Sequence, residues 1–277
     1  MKIIIDSGGT KADWRLVSRT GSIIKTQTPG FSPLHQDASY LEGILGQLPQ
    51  SRELVQTVYY YGTGIHSSEV RDTMIAILKD SFRADEVFVE SDLLGACRAT
   101  AGFKPGIVGI LGTGSSTCFF DGRKIRTQVP SLGYILRDEG SGCAIGSTLI
   151  KSYFYNEMPQ ELREEFQAEY KLTRNKLLSS VYGQPAANSY LASFANFAVS
   201  RQDDSYIRTM LNLELTQLID RHLMQYSDKL TFPCHFVGSV AWLLRDLLTE
   251  ILNSRGLKVG KILRKPIDEL VAFHLKK

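Results

Sequence analysis

No stretch of this sequence is apolar for long enough to span a bilayer, and none has the low hydrophobicity and high charge that keep a chain disordered. Folding without a partner is expected. The opening Met1-Lys2-Ile3-Ile4-Ile5-Asp6 has only three consecutive apolar residues before an acid, too few for a signal peptide, and reads as a buried strand. Cysteine is scarce: Cys97, Cys118, Cys143 and Cys234 lie far apart with no CxxC pair, which argues against a disulfide framework and for a reducing cytoplasm. Charge of one sign is lacking as well. The formal net charge is +3, and basic residues are scattered apart from Lys258 to Lys265 and the terminal lysines. Neither nucleic acid nor a membrane is expected as a partner, and the Lys258 to Lys265 stretch reads as a solvated turn and helix start. His66, His222, His235 and His274 stand at no metal-ligand spacing. There is also no short repeat and no low-complexity linker.

What is present suits two ordinary domains with a cleft between them: 277 residues, 43% hydrophobic and 22% charged. Patterning predicts strands near 2–6, 12–18 and 22–28, a helix near 38–48, a strand at 54–61, a helix at 67–82, a strand at 86–90, a helix near 92–101 and a strand at 106–111. Strands near 115–120 and 123–128, joined at Asp121-Gly122, restart that pattern. Residues 137–226 read as mainly helical, followed by a strand from Leu230 to Val237 and an apolar helix from Val240 to Leu252. The fold class is therefore α/β, with domains over 1–113 and 114–277. The second is the more helical, and its last helix is free to pack back on the first.

Five segments carry chemistry. In Asp6-Ser7-Gly8-Gly9-Thr10-Lys11 a strand ends in a carboxylate and turns through two glycines, which let backbone N–H groups approach a phosphate. Asp6 can hold hydrated Mg²⁺ and Thr10 can bond a phosphate oxygen, although a plain hairpin explains Gly8 and Gly9 equally well. Gly112-Thr113-Gly114-Ser115-Ser116 repeats this architecture about a hundred residues later. It is neither a Walker A loop nor a dinucleotide fingerprint, since no lysine follows it and Thr117 stands where a third glycine would.

Between them, Val89-Glu90-Ser91-Asp92 ends a strand at the start of a small-residue helix. Asp92 reads either as the helix cap or as the base that takes a proton from an acceptor hydroxyl, with the helix dipole expected to keep it ionised. Asp138 and Glu139 sit among Gly133, Gly140, Gly142 and Gly146, a crowding that suggests backbone close to a ligand or a tight domain contact, whereas two acids on an exposed first helical turn would be unremarkable. Gly238-Ser239 follows a strand in a turn able to accommodate adenine or ribose, or to serve structure alone.

In this order the segments resemble the actin/hexokinase/Hsp70 phosphotransferase superfamily, and within it the N-acetylglucosamine kinase and BadF/BadG/BcrA/BcrD ATPase family. The likeness runs from residue 3 to about 241 and includes Gly62-Thr63-Gly64. It implies two ribonuclease H-like (actin-like ATPase) domains around a nucleotide cleft, with ATP and Mg²⁺ as cofactors. It implies Gly8, Gly9, Thr10, Lys11, Gly112, Thr113, Gly114 and Ser115 at the phosphates, Gly238 and Ser239 at the adenosine, and Asp6 at the metal, through water. Asp92 corresponds to the base, and Ser32, His35, Ser116, Asp138 and Glu139 fall on the sugar side. The implied reaction moves the γ-phosphoryl group of ATP to a hydroxyl of an amino sugar, N-acetylglucosamine or a related N-acetylated hexosamine. Asparagines expected within Ser32 to Leu34 and at Ser116 are absent, which removes amide hydrogen bonds to the sugar. Alternatives in the same superfamily are an activator ATPase holding an iron–sulfur cluster through cysteines, for which Cys97 and Cys118 are the nearest pair, and a catalytically weak sugar or nucleotide sensor, a class that commonly carries an added DNA-binding domain. The oligomeric state, a homodimer included, is left open.

Overall fold

The computed structural model describes residues 1–9, 11–31, 36, 38–46, 48, 54–65, 67–183, 186–227 and 229–276. Thr10, Ser32 and His35, each expected at the site, lie outside these. The chain divides into one unit of Met1–Phe103 with Lys265–Lys277 and another of Lys104–Arg264.

The first unit runs β1 (Lys2–Ser7), β2 (Lys11–Val17), β3 (Ile23–Pro29), α1 (Ala38–Leu45), β4 (Thr57–Gly62), α2 (Ser68–Phe82), β5 (Glu86–Ser91) and α3 (Asp92–Thr100). Its sheet has the order β3-β2-β1-β4-β5, with β1 antiparallel to β2 and parallel to β4. The apolar residues of β1, β2 and β4 fill this core: Ile3, Ile5, Trp14 and Val58 are buried together with Leu78 of α2.

The second unit begins with β6 (Gly106–Leu111), β7 (Ser115–Phe120) and the two-residue β8 (Ile125–Arg126). Next come the helices α4 (Gly142–Phe154), α5 (Gln160–Tyr170), α6 (Arg174–Tyr182), α7 (Ala187–Ser193), α8 (Ala195–Ser200) and α9 (Ser205–Arg221), and then the strand β9 (Cys234–Val237) and the short helix α10 (Ser239–Leu243). α11 (Arg245–Ser254) and β10 (Val259–Leu263) complete it, and α12 (Ile267–Leu275) belongs to the first unit, packing on α3, β1 and β2. The second sheet, β10-β9-β6-β7-β8, has the same order and strand sense as the first, with β6 in the place of β1. This is the duplicated α/β architecture that the sequence implied.

Several boundaries differ. The units part after Phe103 rather than at 113, because β6 pairs residue by residue with β7, from Gly106↔Phe120 to Leu111↔Ser115. Lys258 to Lys265 is not a turn and helix start: its centre is β10, an edge strand parallel to β9. Lysines are at home there because an edge strand has a solvated side and its charge discourages further pairing. The strand read from Leu230 begins only at Cys234, after Pro233, and the helix read from Val240 to Leu252 breaks at Leu244 into α10 and α11. His235 is a core residue. Its ring is flanked by Gly106 and Gly260, where a Cβ would lie 3.0 and 2.4 Å from ring atoms. Nδ1 accepts the Lys261 N–H at 2.8 Å, and burial lowers the pKa to about 4.

Candidate functional site

In the first unit, the tip between β1 and β2 is closed by the Gly8 N–H donating to the Lys11 carbonyl at 3.0 Å, with the Lys11 side chain exposed. Gly30 crosses directly beneath, and a Cβ there would lie 2.0 Å from the Gly8 oxygen and 2.7 Å from the Lys11 nitrogen. Only glycine permits that approach. Ser7 fixes the crossing, its hydroxyl accepting the Phe31 N–H at 3.1 Å. The Thr63 N–H donates to the Ser7 carbonyl at 3.1 Å, so the Gly62-Thr63-Gly64 segment meets the same strand end.

The register sets Asp6 directly opposite Asp13. Like charges facing each other across two strands destabilise a sheet. Burial, then the carboxylates of Asp92 and Asp13, raise the Asp6 pKa to about 7, and Lys265 opposes them. Lys265 donates to Asp13 Oδ1 at 2.9 Å.

Asp92 is the first residue of α3 but not its cap. Ser91 takes that role, its hydroxyl accepting the Leu94 N–H at 3.2 Å, while Asp92 Oδ1 accepts the adjacent Leu93 N–H at 2.8 Å. Burial raises the Asp92 pKa and outweighs the lowering by the Leu93 N–H. The helix end offsets this only in part, because desolvation of the carboxylate exceeds what the Leu93 and Asp92 N–H groups return.

In the second unit two segments distant in sequence, 138–143 and the turn at Gly238, converge on Gly112-Thr113-Gly114-Ser115. The Gly142 and Cys143 N–H groups, at the start of α4, donate to the carbonyls of Gly112 and Thr113 at 2.8 and 3.1 Å. Gly238 (φ 131°) lies against Leu111, where a Cβ would come within 2.2 Å of the carbonyl oxygen. Asp138 Oδ2 lies 2.8 Å from the position of a Gly114 Cβ. The Ser115 hydroxyl is buried with no hydrogen-bond partner among the described residues.

Asp138 and Glu139 precede α4 and are both buried, so the exposed first turn considered for them does not exist. Burial raises the Asp138 pKa, partly offset by the Ser131 hydroxyl at 3.0 Å and by the N–H groups of Gly133 and Ser115. Glu139 turns elsewhere: Arg221 Nη1 donates to it at 2.6 Å, and His222 Nε2 lies 3.1 Å away. Those two partners outweigh burial and lower its pKa. Ser116 lies on β7 opposite Ile110, and Ser239 opens α10 directly after Gly238.

Asp13, Gly30 and Lys265 escaped the sequence reading. Asp13 was within reach, because a hairpin centred between Gly9 and Thr10 must place residue 13 across from residue 6. Lys265 had no local signal.

No protein-family model and no curated protein matches the sequence. Solved structures do. Over 100% of this chain and 99% of the other, a protein of Porphyromonas gingivalis provisionally named an N-acetylglucosamine kinase superposes with a TM-score of 0.94 at 36% identity. The chain belongs to the N-acetylglucosamine kinase and BadF-type ATPase family. A second provisionally named N-acetylglucosamine kinase, from Chromobacterium violaceum, matches with a TM-score of 0.71 at 18% identity over 98% of both chains. A ROK family glucokinase from Streptomyces griseus, solved with glucose and AMPPNP, shares the fold with a TM-score of 0.56 at 14% identity over 98% of this chain and 97% of its own. The fold of this family member is thus the two-domain actin-like ATPase fold, and no helix among the described residues is long and apolar enough to cross a membrane.

Proposed function

We propose that the protein transfers the γ-phosphoryl group of ATP to a hydroxyl of an N-acetylated hexosamine, N-acetylglucosamine or a close relative, with Asp92 as general base. One observation carries this reading: Asp92 is relieved of capping by Ser91, and its carboxylate, raised by burial, is electrostatically coupled to Asp6 beside the first glycine turn. A carboxylate lifted above its usual range is a better proton acceptor for a hydroxyl attacking phosphorus. The provisional name of the Porphyromonas gingivalis relative supports the same acceptor class.

Gly8, Gly9, Thr10 and Lys11 bind phosphate in the first unit. Gly112, Thr113, Gly114 and Ser115 do so in the second, where the unpartnered Ser115 hydroxyl suits a phosphate oxygen. Gly238 lies against that turn and, with Ser239 after it, takes the adenosine. The repulsion that the Asp92 and Asp13 carboxylates exert on Asp6 fits a divalent cation, which favours the ionised form of Asp6. No three His, Cys, Asp or Glu side chains among the described residues form a direct ligand set, which suits Mg²⁺ held by Asp6 through water. When bound, the cation supplies charge neutralisation at the phosphates. On the sugar side we place Asp138, Ser116, Ser32 and His35. Glu139, already held by Arg221 and His222, is left out as a contact.

The activator reading gains nothing from the thiols. All four cysteines are buried, whereas a cluster shared between subunits needs thiolates at a surface.

The test is ATP consumption with Mg²⁺ across hexoses, hexosamines, N-acetylated sugars and muramic acid derivatives. Stimulation by N-acetylated hexosamines is expected. Turnover that no sugar raises above the Asp92→Asn background would overturn the reading.

A further inference from the structure

Around Arg98 the first unit holds a connected set of side chains that the phosphate turns do not use. Arg98 lies on α3, further along the helix that Asp92 begins. Its Nη1 donates to Tyr61 Oη at 2.8 Å, and its Nη2 lies 3.8 Å from Glu90 at the end of β5. Because Glu90 precedes Asp92 and Arg98 follows it, this contact bridges the turn that carries Asp92. The guanidinium also lies over the rings of Tyr61 and Phe273, 5.6 and 5.8 Å from their centroids.

Tyr61 continues the connection to the C-terminal helix: its Oη lies 2.8 Å from His274 Nε2, and both residues are buried. His274 stacks on Tyr59 at 3.6 Å, and its neighbour Phe273 stacks on Phe103 at 4.7 Å. Gly95 makes the close approach of α3 possible, since a Cβ there would lie 2.9 Å from the Tyr61 ring. Arg98 can only donate, so the Tyr61 oxygen accepts from it. The same oxygen meets His274 Nε2, with the phenolic proton donated to the ring when Nδ1 carries the imidazole proton. Burial pushes the phenol pKa up to about 12, so that proton stays in place near neutrality.

We propose that Tyr61 and His274 are positioning residues for Asp92, clamping α3 to the C-terminal helix through Arg98. The proposal rests on the reading of Asp92 as base. A general base must stand within hydrogen-bond reach of the hydroxyl it deprotonates, and a displacement of about 1 Å costs on the order of a hundredfold in rate. A helix held only by apolar packing can rotate by such an amount. One tied at Arg98 to Glu90 of β5 and, through Tyr61, to His274 of α12 cannot do so without breaking a hydrogen bond of this chain.

Tyr61→Phe keeps the ring and its stacking but removes the oxygen that serves both Arg98 and His274. In the ligand-free full chain, amides over 92–98 are expected to exchange with deuterium about tenfold faster while those over 68–82 are unchanged. With ATP and N-acetylglucosamine, kcat is expected to fall about tenfold and the KM for ATP to stay within about twofold. His274→Ala should behave alike, and His274→Gln, whose amide oxygen can accept the phenolic proton, should restore both readouts. Unchanged exchange over 92–98 in Tyr61→Phe and His274→Ala overturns the proposal, as does faster exchange with undiminished kcat. Activity that survives Asp92→Asn would contradict the base assignment itself. The exchange measurement reads the clamp without turnover, so the two failures are distinguishable.

Discussion

At the scale of single residues, the facing pair Asp6 and Asp13 costs the hairpin stability that a structural turn would not give up. An acid whose folded pKa is raised from 3.8 to about 7 has its full stabilising contribution only below the unfolded value, and loses it as pH rises through 7. Above that pH, Asp6→Asn should therefore stabilise the ligand-free protein by about 1–3 kcal/mol, discounted for partial exposure. Thermal unfolding at pH 8 and at pH 4 checks the sign, and a variant less stable at pH 8 would count against it. Ser115 makes the opposite case. Its hydroxyl bonds to nothing among the described residues, so Ser115→Ala should change stability by less than about 0.5 kcal/mol. The KM for ATP should rise several-fold, and a KM that does not move would remove Ser115 from the phosphate site. Gly238→Ala should be far harsher, since φ is 131° and its Cβ would overlap a backbone carbonyl 2.2 Å away that cannot swing aside. A loss of more than about 3 kcal/mol in chemical denaturation is expected.

At the scale of elements, the glycine turns and the strands leading into them were legible, because an apolar run that stops at a pair of glycines marks a strand and its turn whatever the turn is used for. The edge strand β10 was not, since Lys258, Lys261 and Lys265 hide the short apolar run beneath them. Nor was the break at Leu244, which no glycine or proline marks. The partners of Glu139, Arg221 and His222, lie at the far end of α9, and no local pattern announces a bond across that distance. His235 shows how packing decides a residue's chemistry. Held neutral between Gly106 and Gly260, it contributes stability that is fully present above its unfolded pKa of 6.5 and lost as pH falls toward 4. Ring titration by NMR should give a value near 4, and one near 6.5 would contradict this packing. The C-terminal helix is tied at both ends, by Asp268 to Arg15 at 2.8 Å and by His274 to Tyr61. A chain ending at Arg264 should therefore lose more than about 4 kcal/mol from the first unit, seen as an early unfolding transition.

At the scale of the whole molecule, two sheets of identical order each present a glycine turn at the corresponding place, between β1 and β2 and between β6 and β7. That repetition made the superfamily recognisable from five short segments in order, where each alone was ambiguous. The acceptor was less legible, because Ser32 and Ser116 stand where amides would name the sugar. The most direct test of the account is the steady-state rate of N-acetylglucosamine phosphorylation by the unaltered protein and by Asp92→Asn. A fall in kcat of about a thousandfold, with the KM for ATP changed less than about threefold, is the predicted result. An Asp92→Asn protein that phosphorylates the sugar at close to the original rate would contradict it.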